Sequence, residues 1–395
     1  MSVLQMTGGQ PPYETVLAEL MEREHRTNPF PQMVAGVLPY QTLQGFIECG
    51  VITGISTDYV NPASIDLPLS AEAYRVEYNF LPVRGEIIRT MLSTVGATRH
   101  DLAFPLEVGV TYLVRIDGRI TLPKGVYGYA NPKSSTGRNN VHVTLIADGV
   151  DQYDSVLNFG VRNGELWVLI TPGSYPVKVS AGLALNQLRL FNGTSFLSPV
   201  EILMARERYG LFFTPDGNKF ARDALLDHRE SFFLSLRFGK GRIGWECRGV
   251  SNRVLDMTKI DYYQPEEFFE PVYARGDTLD LRMGSFYILS TDERVLVPPN
   301  LSAELRAMDP RMGEFRAHTA GYIDPGWGWG GDVPIGNPIT LEFVIFKPIM
   351  IRPTQNVVRI RFERMFNEPN VHYTAANSNY IIQNAAKLSK HFKSA

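Results

Sequence analysis

Residues 109–123 (GVTYLVRIDGRITLP) align without a gap on residues 284–298 (GSFYILSTDERVLVP), keeping Asp117 on Asp292, Arg119 on Arg294 and Pro123 on Pro298. A chain that carries such a copy of itself is predicted to fold as two related domains. The likeness extends outward: residues 63–67 (ASIDL) answer to 277–281 (DTLDL), and residues 185–191 (LNQLRLF) to 357–362 (VVRIRF). Between these markers lie short β-rich runs such as VHVTLIA and ELWVLI, separated by Gly, Pro, Asn and Asp. Many short strands with tight turns predict a barrel or sandwich in each half. The expected organisation is an N-terminal extension over 1–37, a first β domain over 38–205 and a second over 206–395. Helical spacing predicts a helix over residues 13–24 and a short one over 42–49.

Composition narrows the function classes. A chain of 395 residues, 44% hydrophobic, can bury two cores. A formal charge of -2 with no basic stripe argues against a protein built to hold duplex nucleic acid. Cys49 and Cys247 are too few for a disulfide framework or a thiolate zinc site. No apolar run approaches the length of a membrane span, and a cytoplasmic protein is expected.

The halves differ where chemistry is expected. Residues 130–138 (ANPKSSTGR) place Lys133, Ser134, Ser135 and Arg138 on one turn-rich hook. Adjacent serines supply hydroxyl and backbone N–H donors, Gly137 allows close backbone approach, and Arg138 offers a planar fork for phosphate oxygens. A polyphosphate suits such a hook; a solvated surface turn is the other reading. The second half has Ala307-Met308-Asp309-Pro310-Arg311 at this place, without hydroxyls. Conversely, residues 339–346 (ITLEFVIF) align on 166–170 (LWVLI), so that Glu342 stands where the first half has Leu169. With a strand period of two, Glu342 shares a face with Thr340 and Val344. A Leu at the equivalent place predicts burial, and burial would raise the carboxyl's pKa toward a value useful to a general base. The alternative is an edge-strand Glu in water.

These residues resemble the dCTP deaminases of the dUTPase-like superfamily, in their long two-domain bacterial form. Residues 319–327 (TAGYIDPGW) resemble the family's T-A-x-x-I-D-P-G-[WF] segment, residues 339–343 its following strand with the catalytic Glu, and Lys133 to Arg138 its R-S-S-x-x-R motif. The resemblance implies a mainly β protein of tandem distorted β-barrels with a few short helices and a site where barrels meet. It implies zinc-independent hydrolysis of dCTP to dUTP and ammonia, with Mg2+ carried by the triphosphate. By position, Glu342 would be the base. Lys133, Ser134, Ser135 and Arg138 would hold phosphates, Ser134 and Arg138 also helping to place the water. Asp324 would contact sugar or base, and Ala320 would bring backbone groups to the pyrimidine. Tyr380 and Gln383 resemble a Tyr-x-x-Gln lid. The partners implied are dCTP, dUTP and dTTP as inhibitor, in a homo-oligomer with neither nucleic acid nor membrane. Departures are Lys133 for the first Arg, the insertion over 327–336, and Tyr322 where some members carry a basic residue.

Rival motifs are weaker. His228-Arg229-Glu230 fits H-x-E but no C-x-x-C follows it, as zinc deaminases require. Residues 326–331 (GWGWGG) satisfy G-x-G-x-x-G but lead into Asp332-Val333-Pro334 rather than a helix. Trp327 and Trp329 suit either base stacking or loop packing. The competing functions are a dUTP diphosphatase, a bifunctional deaminase and diphosphatase, and a non-catalytic nucleotide sensor.

Overall fold

The computed structural model describes residues 35–157, 163–219, 231–248, 252–308, 316–317, 321–330, 335–373 and 385–394. The predicted helix over 13–24 lies outside them. The second predicted helix is present over Tyr40–Glu48.

In the first half the main sheet runs in the order Val141–Ala147, Glu165–Pro172, Thr111–Ile120, Ile65–Val76, Ala184–Phe191, Tyr127–Pro132 and Ser155–Val156. The 12-residue strand Ile65–Val76 is its spine: it pairs with Ala184–Phe191 at one end and Thr111–Ile120 at the other, with a register shift between Leu69 and Ala73. In the second half this spine is split. Phe232–Ser235 pairs with Asn356–Arg364, and Gly244–Arg248 pairs with Ser285–Val295. Gly239 and Gly241 fall between the two pieces, where a continuous strand is least favoured.

Strand pairing reproduces the sequence repeat. Leu113 faces Leu169 across the first pair, and Ile288 faces Glu342 across the second. Both ladders shift register at the same place, between Arg115 and Arg119 in one and between Ser290 and Arg294 in the other. One marker fails. Residues 277–281 do not occupy the place of 63–67: Leu279–Leu281 pairs with Ile349–Ile351, as Leu106 bridges Val177 in the first half. The counterpart of the Ile65 strand is Phe232–Ser235. Alternating β runs of five residues resemble one another too readily for such a short match to fix topology.

The halves join through a helix over Pro199–Tyr209, started by a capping box between Ser198 and Glu201 with Pro199 in its first turn. Their contact follows from strand alternation. Leu289, Leu341 and Phe343 point into the second half's own core. The opposite face, with Trp245, Cys247, Phe286, Ile288 and Val344, packs into the core of the first half. Glu342 lies on that outward face. Two more segments cross over. Leu255 pairs in parallel with Val177, and Ala386, Leu388 and Phe392 join the first half's core from the end of the chain. Among the described residues, no helix is long and apolar enough to cross a membrane.

Candidate active site

Glu342 sits in the strand Asn337–Val344 and is 3% exposed. Burial pushes its carboxyl up to about 8, and the Arg138 guanidinium opposes this. The sequence expectation of a buried rather than solvated Glu is met. Its neighbours Ile288 and Val344 explain the burial: they are apolar and pressed against the other half.

The hook brings Arg138 to it. Residues Ser134–Gly137 form a single helical turn in which the Thr136 and Gly137 N–H groups donate to the Lys133 carbonyl at 2.8 and 3.0 Å. Gly137 is buried inside that turn. Thr136 donates its hydroxyl to the Leu185 carbonyl at 2.9 Å and is structural. Ser135 is buried and Ser134 half-buried. Arg138 follows the turn, 3% exposed, with Nε 3.8 Å from Glu342 Oε1 and Nη1 donating to the Lys387 carbonyl at 2.8 Å. Hook and carboxylate, separated in sequence by two hundred residues, therefore meet within one chain. Of the two tasks expected of Arg138, placing water beside the base is the one this position favours.

Asp324 and Lys133 stand together in a second cluster. Lys133 pairs with Asp66, which also accepts from Asn61 at 2.9 Å. Asp324 lies in the fields of both, and burial pushes its carboxyl up to about 7, Asp66 adding while Lys133 and Arg189 oppose. Its Oδ1 has no hydrogen-bond partner among the described residues. An acceptor held there suits a hydroxyl or amino group of a ligand. Behind it, Tyr322 stacks under Arg189, whose guanidinium carbon is 4.4 Å from the ring centre. Arg189 is fully buried, pairs with Glu363, lies 3.6 Å from Glu304 and donates to Asn131 Oδ1 at 3.0 Å. One first-half cation thus orders the second-half segment that carries Asp324.

Ala320, Tyr380 and Gln383 lie outside the described residues, as does His228. Trp327 belongs to the second core, 5.2 Å from the Tyr373 ring, so packing is its observed role. Sequence reasoning missed Asp66, Asn139, Arg189 and the segment around Lys387. The last of these contributes a backbone carbonyl and amide, for which the sequence carries no signal.

In the first half the place equivalent to the Glu342 face is closed. Leu113, Ile146, Trp167 and Leu169 are covered by Phe80, Ile88 and Val95 of the chain's own intervening segment. Among the described residues, the hook of the first half and the Glu342 strand of the second meet once.

Two related mainly β halves thus meet at a buried carboxylate and a buried guanidinium. Residues 34–194 match the model of the 2'-deoxycytidine 5'-triphosphate deaminase N-terminal domain and residues 224–392 that of its C-terminal domain. The dCTP deaminase, dUMP-forming, of Methanothermobacter thermautotrophicus is 30% identical over 158 residues, covering 38% of this chain and 75% of that protein. The protein so named in Dictyoglomus turgidum is 28% identical over 163 residues, covering 40% and 77%. The crystal structure of 2'-deoxycytidine 5'-triphosphate deaminase from Agrobacterium tumefaciens superposes with a TM-score of 0.75 at 31% identity, covering 84% of this chain and 99% of that one. The chain belongs to the dCTP deaminase family, as a two-domain dCTP deaminase. The relatives' dUMP-forming activity conflicts with dUTP as the end product expected from the sequence.

Proposed function

We propose that this dCTP deaminase uses Glu342 as the general base that takes a proton from water attacking C4 of the cytosine of Mg-dCTP, then delivers it toward the departing ammonia. The observation that carries the reading is a buried carboxylate 3.8 Å from a buried guanidinium at the junction of the two barrels. The base is a carboxylate rather than a metal-bound hydroxide. Arg138 orients the water and moderates the proton affinity of Glu342, while Asp324 accepts from the sugar or base. Ser134, Ser135 and Lys133 face the triphosphate, Lys133 exchanging Asp66 for a phosphate oxygen.

Attack at C4 leaves dUTP in the site. The name carried by the relatives favours a second hydrolysis there, giving dUMP and pyrophosphate. Incubation with Mg-dCTP, with ammonia, pyrophosphate and nucleotides followed together, separates the outcomes. Ammonia in step with dCTP loss supports the reading; dUMP with pyrophosphate identifies the two-step enzyme, and loss of dCTP without ammonia refutes deamination.

The pH dependence has a definite sign. Catalysis needs the ionised carboxylate, so kcat/KM for dCTP should rise about tenfold per pH unit and level off near the value of about 8 set by burial. The charged group facing Glu342 is Arg138, which holds that value down. Arg138→Ala should move the limb to higher pH and lower kcat/KM at pH 7 by about a hundredfold or more. A limb near pH 5 in the wild type, or one that Arg138→Ala leaves in place, would remove Glu342 as the ionising base.

A further inference from the structure

One group that holds Arg138, the Lys387 carbonyl, belongs to a segment at the far end of the chain, outside the motifs read from sequence. Residues 385–394 lie along the junction between hook and base strand. The Lys387 carbonyl accepts from Arg138 Nη1 at 2.8 Å, and the N–H of the same residue donates to Thr340 Oγ1 at 3.3 Å. Thr340 is two residues from Glu342 on the same strand face. One peptide unit on either side of Lys387 therefore touches both parts of the centre.

What fixes that unit is a pair of buried polar side chains. Ser389, 2% exposed, donates its hydroxyl to Asn139 Oδ1 at 2.9 Å. Asn139, 1% exposed, also accepts from the Tyr175 hydroxyl at 3.1 Å and donates through Nδ2 to the Ser135 carbonyl at 2.7 Å. Asn139 thus ties the hook to the segment carrying Lys387. Further along, His391 Nδ1 bonds the Lys259 carbonyl at 2.9 Å, and Leu388 and Phe392 sit in the first half's core. Those apolar anchors hold the segment on the protein; they do not set the position of Lys387 to a fraction of an ångström. A hydrogen bond to a buried, rigid Asn can do so.

We infer that Ser389 and Asn139 are positioning residues of the deamination centre, latching residues 385–394 to the hook so that the Lys387 carbonyl aims the Arg138 guanidinium beside Glu342. The inference rests on the proposed deamination at Glu342. Neither residue touches substrate. Without the latch the Lys387 carbonyl shifts, the aim of the Arg138 guanidinium changes with it, and the water it orients is lost from its place.

The test is steady-state deamination of Mg-dCTP by the full-length wild type, Ser389→Ala and Ser389→Cys, with thermal midpoints measured alongside. Cys nearly keeps the volume of Ser but is a weak donor, so it serves if the Ala variant does not fold. The expected result is a fall in kcat of about tenfold, with KM for dCTP within about threefold and an unchanged thermal midpoint. Unchanged kcat overturns the inference. A kcat that falls only together with the thermal midpoint also overturns it, by reducing Ser389 to a structural residue. A wild type that releases no ammonia is a different failure, that of the deamination reading itself.

Discussion

Glu342→Gln is expected to lower kcat for dCTP deamination by about 10²- to 10⁴-fold, the usual contribution of a positioned general base, while dCTP binding stays near the wild-type level. Gln nearly matches the shape of the carboxylate and fills the same buried space, but cannot take a proton from water. The same substitution carries a stability signature set by the burial of Glu342. Because the folded-state pKa of Glu342 is raised above its ordinary 4.5 to about 8, the folded protein binds the proton more tightly than the unfolded chain. Stability from this group is therefore present at low pH and is lost as pH rises from about 4.5 to about 8. The Gln variant lacks that loss. Its thermal midpoint should exceed the wild type's at pH 9, and the gain should vanish toward pH 5. Loss of dCTP binding together with a lower midpoint at every pH would assign Glu342 to the scaffold instead.

Arg189→Leu is expected to be the most damaging change to the fold. Arg189 is fully buried and faces two carboxylates, Glu363 and Glu304, from the other half. Ser195 and Ser302 donate to Glu363 at 3.3 Å each, but they cannot replace a positive charge. Removing one partner of a buried ion cluster costs about 3–5 kcal/mol, because the remaining charge has lost both water and its counter-ion. The loss falls on the contact between barrels, so urea unfolding followed by fluorescence should show an earlier transition and separate transitions for the two halves. Adding Glu363→Gln should recover part of the loss. A shift worth less than about 1 kcal/mol would show that apolar contact alone joins the halves.

The repeat made the architecture legible because it couples two independent signals, strand alternation and copied spacing. Leu169 and Glu342 occupy equivalent ladder positions, as the alignment of 109–123 on 284–298 requires. Burial of Glu342 was legible for the same reason, since an apolar residue fills its place in the copy. The five-residue match of 277–281 failed because it lacked that support. Nothing local to residues 133–138 shows that Lys133 pairs with Asp66, or that Arg138 meets a carboxylate two hundred residues away. Such contacts depend on how two completed barrels dock, and the apolar outer face of the second sheet that drives the docking reads in sequence as an ordinary buried strand. The segment around Lys387 was hidden more deeply. Its contribution is a backbone carbonyl and amide, which every residue type supplies.

On the proposed mechanism one chain builds one centre from the Arg138 hook of its first half and the Glu342 strand of its second. The measurement that tests it most directly is deamination of Mg-dCTP by an equimolar mixture of Arg138→Ala and Glu342→Gln chains, unfolded and refolded together, beside wild-type protein treated alike. With both residues required in the same chain, the mixture should stay as inactive as either variant alone while the wild type recovers. Restoration to a sizeable fraction of wild-type activity would mean that the hook of one chain serves the carboxylate of another, and would contradict the account.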